Sequence, residues 1–156
     1  MSEYLDQTTP TPDKGVVPWR RQAREAICAA PVNLLRSGYR TRADAPPTAL
    51  VEDCVMTALM FLALGPVQRL KSKSCANHEH SYGLKHLAED WGRAAGLEPY
   101  VANGELIAAA LYLGFTVTLD PGTPNAFIGV RTAVDHGGLA LAARSRETAA
   151  QEVESA

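Results

Sequence analysis

The sequence predicts a single α+β domain in which helices dominate and a β-hairpin lies near the C-terminus. Two observations lead to this fold class. The chain has 156 residues, of which 46% are apolar and 21% charged, the size and composition of one globular domain. Its middle carries apolar side chains at helical spacing, whereas residues 115–119 alternate strictly between apolar and polar side chains, which is typical of a half-buried strand.

The helices are placed by apolar periodicity and by the residues that begin and end a helix. The strongest segment, residues 48–64, repeats apolar side chains at i, i+3 and i+4 and ends at a Gly-Pro pair. Ser81 and Asn103 are suited to cap the next two helices, and Gly96 and Gly114 are suited to end them. Four main helices are therefore predicted, at residues 19–30, 48–64, 81–96 and 103–113, followed by a short helix at residues 139–144.

The predicted hairpin has strands at residues 115–119 and 126–131. The connection at residues 120–124 reads Asp-Pro-Gly-Thr-Pro, a run of turn-forming residues, so the two strands are expected to be antiparallel. Because a two-stranded hairpin is only marginally stable alone, it must pack on the helices or join a third strand.

The two ends of the chain differ in composition from its middle. Residues 1–18 are rich in Thr and Pro and nearly free of large apolar side chains, which predicts a flexible arm. Residues 145–156 are polar and acidic, which predicts a polar tail. The globular domain is accordingly placed at residues 19–144.

A cytoplasmic protein without membrane contact is predicted. The longest apolar run, residues 54–65, is shorter than the ~20 residues needed to cross a bilayer, and no secretory signal is visible. Three cysteines at irregular spacing make a poor disulfide framework. Cys28 and Cys54 lie in apolar stretches and are expected to be small core residues.

Positive charge is concentrated in residues 14–44, where seven Lys and Arg side chains accompany two carboxylates. These arginines are candidates for binding nucleic acid through phosphate contacts; the alternative is a solvated face that neutralises the acidic C-terminal part. The net charge of −2 is too close to neutral for a general polyanion binder. The candidates are Arg20, Arg21, Arg24, Arg36, Arg40 and Arg42.

The helix pair at residues 81–113 is not predicted to read DNA as a helix-turn-helix. No Lys, Arg or His occurs between Ala94 and Val130. A recognition helix at residues 103–113 would therefore lack phosphate attraction and the commonest contact to guanine. The connection at residues 96–102 is also longer than the usual turn of about 3–4 residues.

Four potential metal ligands occur within twelve residues, namely Cys75, His78, His80 and His86. Cys and His are the usual zinc ligands, and a Cys with a nearby His is also a nucleophile–base pair. However, no second ligand pair follows, and no nucleophile elbow, Walker loop, dinucleotide glycine motif or His-Glu-x-x-His occurs. The sequence therefore favours a protein with no resident metal, no cofactor and no catalytic residue, and leaves a small Cys/His-dependent enzyme as an alternative.

The predicted helix at residues 103–113 has no charges at Ala108, Ala109 and Tyr112, which lie on the face that would point outward. Glu105 lies one turn before them. A helix face of this kind is either buried on both sides or part of an interface. Glu105 and Tyr112 are therefore candidate binding residues for a partner protein or for a second copy of the chain.

Three segments carry a resemblance to known proteins: SYGLKHLAE at residues 81–89, YVANGELIAAA at residues 100–110 and PNAF at residues 124–127. Together they resemble a pattern found in small proteins of bacterial phages and integrative elements, over about a third of the chain. The resemblance implies a mobile-element context, in which small proteins often bind host machinery, including defence nucleases. It implies no activity and no residue role.

Most residues of these segments also have a structural explanation. Gly104 permits close packing at the start of a helix, and Asn125 suits a turn that leads into a strand. Lys85 and His86, one turn into the predicted helix at residues 81–96, are explained less fully by structure. They are therefore the remaining candidates for binding.

The sequence thus predicts a non-enzymatic protein-binding accessory protein of a phage or mobile element. Its partner would be a host protein or a protein–nucleic-acid complex, and a homodimer is a further expectation. The resemblance gives this prediction its concrete form, an anti-CRISPR-like inhibitor of host defence. The alternatives are a nucleic-acid-binding accessory protein that uses the arginines and the small Cys/His-dependent enzyme.

Overall fold

The computed structural model describes residues 12–132 of the chain. Within that part the predicted α+β class, with helices dominant, is confirmed. The helices are α1 (Pro12–Ala29), α2 (Glu52–Leu64), α3 (Ser81–Ala94) and α4 (Asn103–Tyr112). The strands are β1 (Leu34–Leu35), β2 (Gly38–Tyr39), β3 (Val67–Arg69), β4 (Glu79–His80), β5 (Val117–Leu119), β6 (Ala126–Ile128) and β7 (Val130–Thr132), and a short 3₁₀ turn lies at Cys75–Asn77. The first part of the predicted arm, the helix at residues 139–144 and the tail at residues 145–156 lie outside the described residues.

Helix α4 is the centre of the core, because α1, α2 and α3 all pack against it. Its uncharged face is buried rather than part of an interface, since Ala108 and Ala109 are only 1% and 0% exposed. Tyr112, predicted as a partner contact, donates a hydrogen bond to Glu25 of α1. Ala108 and Ala109 are therefore closed to a partner, whereas Tyr112 is half-buried and its role in binding stays a prediction. A helix enclosed in this way also cannot lie in a DNA groove, which agrees with the exclusion of a helix-turn-helix.

Two helices begin at other residues than predicted. Helix α1 begins at Pro12 and contains Pro18, whereas the prediction treated residues 1–18 as an arm. A proline inside a helix removes one backbone hydrogen bond and crowds the carbonyl of the preceding turn, but α1 continues through Pro18 to Ala29. Helix α2 begins at Glu52 rather than at residue 48. Val51 is extended there, because its N–H donates to the carboxylate of Glu105 instead of entering the helix.

The predicted core helix corresponds to α2, whose side chains are buried from Cys54 to Leu59. It contributes Phe61 and Leu62 to the same core, and Phe61 contacts Trp91 of α3 at a ring-centroid distance of 6.1 Å. Within residues 12–132, no helix has both the length and the apolar character to cross a membrane.

The predicted hairpin forms and joins a third strand. Strands β5 and β6 are antiparallel, and β4 pairs with the other edge of β6, giving the order β4-β6-β5. The segment predicted as one strand at residues 126–131 is divided at Gly129, whose N–H donates to Thr116 and whose carbonyl accepts from Leu70. Strand β7 therefore leaves the three-stranded sheet and pairs with β3.

A substitution at Gly104 tests how closely α4 packs against the end of β1. A Cβ atom at this position would lie 1.8 Å from the carbonyl oxygen of Leu35. Gly104→Ala must therefore shift the backbone, and we expect it to lower the free energy of unfolding by about 2–3 kcal/mol, measured by urea denaturation.

Gly83→Ala in α3 is the matched control, because a Cβ atom there would meet nothing within 4 Å. An alanine at an open helical position is expected to raise the free energy of unfolding by about 0.5–1 kcal/mol. Equal stabilities of the two variants would contradict the packing described for Gly104.

Candidate functional site

The three segments that carry the resemblance meet in the fold. Ser81 Oγ, at the start of α3, accepts a hydrogen bond of 2.9 Å from the N–H of Ala126 in β6. Asn103 Nδ2, at the start of α4, donates to Asn125 Oδ1 at 2.9 Å and to the carbonyl of Pro124 at 3.2 Å. Segments that are distant in the sequence therefore form a single structural unit.

Ser81 and Asn103 do not cap their helices as predicted. Each is the first residue of its helix, and the cap positions are occupied by His80 and Ala102, which make no side-chain cap bond. The polar side chains bind the neighbouring strand and turn instead. The N–H of Ala102 donates to Glu105 Oε2 at 2.6 Å, which is the returning half of a capping box.

Glu105 is a fully buried carboxylate surrounded by hydrogen-bond donors. Its Oε1 accepts from Arg36 Nε at 2.8 Å and from the N–H of Val51 at 3.0 Å, while Oε2 is bound by Ala102. Burial of a charge is costly unless the charge is paired and hydrogen-bonded. Glu105 therefore connects α4 to the segments before α2, and its predicted role as a surface binding residue is wrong.

Arg36 supplies the counter-charge of Glu105 and also reaches the surface. Its Nη2 donates to Cys54 Sγ at 3.6 Å, its guanidinium carbon lies 5.0 Å from the centre of the Tyr100 ring, and 36% of its side chain is exposed. Burial acts to lower the pKa of Arg36, but the charge and hydrogen bond of Glu105 raise it overall. The guanidinium is therefore fixed in place and charged.

Cys54 lies beside this ion pair. Burial, and then the negative charge of Glu105, raise the pKa of the Cys54 thiol to about 11, although Arg36 acts in the opposite direction. The thiol is therefore protonated at neutral pH and is a poor nucleophile. Cys54 is buried as predicted, but Cys28 is exposed, because the core-facing side of α1 is occupied by Ala23 and Ala26.

Cations and aromatic rings alternate along the surface next to Arg36. Lys85 Nζ lies 5.8 Å from the centre of the Tyr100 ring and 5.5 Å from the centre of the Tyr82 ring. The Tyr82 ring contacts the His86 ring edge-on at a centroid distance of 5.0 Å. We call Arg36, Tyr100, Lys85, Tyr82 and His86 the cation–aromatic row.

Glu89 fixes two members of the cation–aromatic row. Its Oε1 accepts from Lys85 Nζ at 3.4 Å and from the N–H of Val101 at 3.2 Å, and its Oε2 lies 3.0 Å from His86 Nδ1. The side chain of Lys85 is 12% exposed. Lys85 is therefore packed against its neighbours, whereas the rings of Tyr82 and Tyr100 remain accessible to solvent.

The structure brings together three of the residues predicted from the sequence, Arg36, Lys85 and His86. Sequence reasoning missed Tyr82 and Tyr100, which are 54% and 50% exposed. Both lie in the segments that carry the resemblance. Tyr82 also precedes Lys85 and His86 by three and four residues, the helical spacing that places side chains side by side.

Four of the other predicted arginines pair with carboxylates of the same chain. The pairs are Arg20–Asp53 at 2.7 Å, Arg21–Glu25 at 3.9 Å, Arg24–Glu52 at 3.0 Å and Arg42–Asp44 at 3.1 Å. These carboxylates would repel a phosphate backbone at the same positions. Arg40 has no carboxylate partner among the described residues.

The four candidate metal ligands do not converge. His78 Nε2 donates to the carbonyl of Ser72 at 2.9 Å, His80 Nε2 donates to Asp120 Oδ2 at 3.1 Å, and His86 is held by Glu89, while the cysteine is exposed. Within residues 12–132, no three His, Cys, Asp or Glu side chains are grouped so that they could hold a metal ion. The arrangement therefore gives no support to a metal site or a Cys/His catalytic pair in this part of the chain.

Comparison of the chain with protein-family models, with curated proteins and with solved structures found no match. Function is therefore argued from the geometry of the chain. The cation–aromatic row combines three residues predicted from the sequence, Arg36, Lys85 and His86, with the two exposed tyrosines.

Glu105→Gln tests the buried ion pair. The variant keeps the shape of the side chain but leaves Arg36 without its counter-charge, and breaking a buried pair costs about 3–5 kcal/mol. We expect a loss near the lower end of this range, since Arg36 is partly exposed, measured by urea denaturation. Asp44→Asn removes only the exposed pair with Arg42 and should change stability by less than about 1 kcal/mol. Similar losses in both variants would contradict the role of Glu105.

Thiol labelling tests the environment of Cys54. With dithionitrobenzoate at pH 8, Cys28 and Cys75 should react quickly in the native protein, and Cys54 should react only after denaturation. The pKa of Cys54 is raised from 9.0 to about 11, so the folded state holds this proton more tightly than the unfolded state does. The resulting contribution to stability is present below pH 9 and is lost as the pH rises to about 11. A third fast thiol in the native protein at pH 8, or any fast thiol in a Cys28→Ser/Cys75→Ser variant, would contradict the assignment.

Proposed function

We propose that the protein is a non-enzymatic accessory protein that binds an acidic segment of a partner protein through the cation–aromatic row. The row itself carries the proposal: two half-exposed tyrosines, Tyr82 and Tyr100, alternate with two cations and an imidazole. Tyr and Arg are among the residue types that supply most of the binding energy at protein interfaces.

The row is also ordered before any partner binds. Glu105 fixes Arg36, and Glu89 contacts both Lys85 and His86. Side chains that are already held in place lose less conformational entropy on association. This favours the row over flexible surface lysines and arginines as a docking surface.

The charge of the row favours an acidic partner. The two carboxylates that pair with its cations, Glu89 and Glu105, are 14% and 0% exposed in their side chains, while Glu98, which accepts from the N–H of Tyr100, is exposed. The groups of the row that face solvent most are the two half-exposed tyrosines, the His86 ring and the Arg36 guanidinium, whereas Lys85 is 12% exposed. Complementary charge on the partner increases the rate of association and the specificity of the complex.

The two alternative functions have less support. A nucleic-acid-binding protein would need the arginines free, but Arg20, Arg21, Arg24 and Arg42 face the chain's own carboxylates. A Cys/His-dependent enzyme would need Cys75 close to a histidine base. The three nearby histidines instead contact the carbonyl of Ser72, Asp120 and Glu89.

The class of partner is proposed from the resemblance alone. Small proteins of phages and integrative elements often bind host machinery. We therefore place the protein among phage or mobile-element accessory proteins and propose a host defence protein as the partner, which would make the chain an anti-CRISPR-like inhibitor.

Affinity capture from a nuclease-treated bacterial lysate tests the proposal. The full chain, a Tyr82→Ala/Tyr100→Ala variant and a Leu64→Ala variant are immobilised in parallel. Leu64 is the matched control, because it is 60% exposed and lies outside the row. We expect a lysate protein that is captured by the wild type and the control but not by the double variant. In direct binding measurements, this protein should bind the purified double variant at least about tenfold more weakly than it binds the wild type.

Two outcomes would contradict the proposal. Equal capture by the double variant would show that the row is not the docking surface. Capture that disappears after nuclease treatment, together with direct binding that weakens steeply with salt, would favour the nucleic-acid-binding alternative.

A further inference from the structure

A cavity of about 310 Å³ lies between the loop after β2 and the turn that joins β5 to β6. It is lined by Asn33, by residues 39–41 and by residues 119–123, none of which belongs to the cation–aromatic row. Its volume is at the lower end of the ~300–1,000 Å³ range of small-molecule sites. The cavity is therefore of a size for a small metabolite.

The two walls of the cavity are fixed to each other. The N–H of Tyr39 donates to the carbonyl of Pro124 at 2.9 Å, and Asn103 Nδ2 bridges the carbonyls of Ser37 and Pro124 at 3.2 Å each. Gly38 has a φ of +120°, and a Cβ atom there would lie 2.1 Å from Pro124 O. The walls therefore meet in a geometry that a larger residue would prevent, so the cavity exists without a ligand.

One wall offers hydrogen-bond donors that no residue in the described range 12–132 uses. Arg40 has no carboxylate partner among the described residues, and Tyr39 Oη has no hydrogen bond there. Burial raises the pKa of Tyr39, so its hydroxyl remains protonated and able to donate. Both residues line the cavity, and a guanidinium and a phenol can each donate to a carboxylate.

The opposite wall offers a carboxylate. Asp120 Oδ2 accepts from His80 Nε2 at 3.1 Å, and 29% of the Asp120 side chain is exposed. This negative charge favours a ligand that carries an ammonium group and disfavours a doubly charged anion such as phosphate. Leu119, which is 52% exposed, and Pro121 add apolar surface to the same wall.

We propose that this cavity binds a free α-amino acid with an apolar side chain. Arg40 and Tyr39 bind its carboxylate, Asp120 binds its ammonium group, and its side chain lies against Leu119. The site does not depend on the docking function of the row, so either proposal can fail while the other stands.

Backbone amide NMR of the full chain, titrated with L-leucine, tests the proposal. Saturable shifts are expected at the amides of residues 40, 119, 120, 122 and 123. Arg40→Gln should weaken binding at least about tenfold, because it removes a charge-assisted, bidentate contact. Arg42→Gln is the matched control, since Arg42 is exposed and pairs with Asp44, and it should leave the affinity unchanged.

Blocked ligands test the two ends of the site separately. N-acetyl-leucine and leucine amide should each bind at least about tenfold more weakly than leucine, because each lacks one charge. The proposal is overturned if leucine gives no saturable shift up to tens of millimolar, if Arg40→Gln binds leucine as well as the wild type does, or if inorganic phosphate binds more tightly than leucine.

Discussion

The carboxylate of Glu105 lies in the core without any exposure to water, and three separate parts of the chain supply its donors. The N–H of Ala102 comes from the start of α4, the N–H of Val51 precedes α2, and the guanidinium of Arg36 follows β1. A buried carboxylate that lost one of these partners would keep most of its desolvation cost. The three segments are therefore stable together and much less stable apart, and this condition determines where α2 begins and how closely Gly104 approaches Leu35.

The same interactions extend from the core to the surface. Arg36 is held by Glu105 on one side and contacts the Tyr100 ring on the other, so the cation–aromatic row begins at the buried ion pair. Asn103 links the start of α4 to the turn after β5, which is a wall of the amino-acid cavity. The row therefore begins at a fixed point of the core, and the loop and turn that form the cavity are joined by Asn103; side chains held in place in this way favour precise recognition.

Local patterns predicted most of the fold. The apolar stripe of α3 and the turn residues after β5 act within a few residues of the chain, so the bounds of α3 and β5 are predicted to within two residues. The second strand of the hairpin begins at Ala126 as predicted but ends at Ile128. The failures have a common cause in contacts between distant segments. Ser81 and Asn103 have the chemistry of helix caps, but their partners lie in β6 and the preceding turn. For the candidate site, the sequence pointed to Arg36, Lys85 and His86, whereas Tyr82 and Tyr100 became visible only as exposed rings beside them.

Periodicity and turn chemistry in the amino-acid order were sufficient for the α+β class and for the antiparallel hairpin, and the lack of Lys, Arg and His between Ala94 and Val130 argued against a DNA-reading helix. They could not assign Glu105 to the core, because a carboxylate is normally a surface residue unless a distant counter-charge meets it. They also could not separate Arg36 and Arg40 from the arginines that pair with nearby carboxylates. Those distinctions follow from which groups the folded chain brings within hydrogen-bond distance, and spacing along the sequence does not encode that distance.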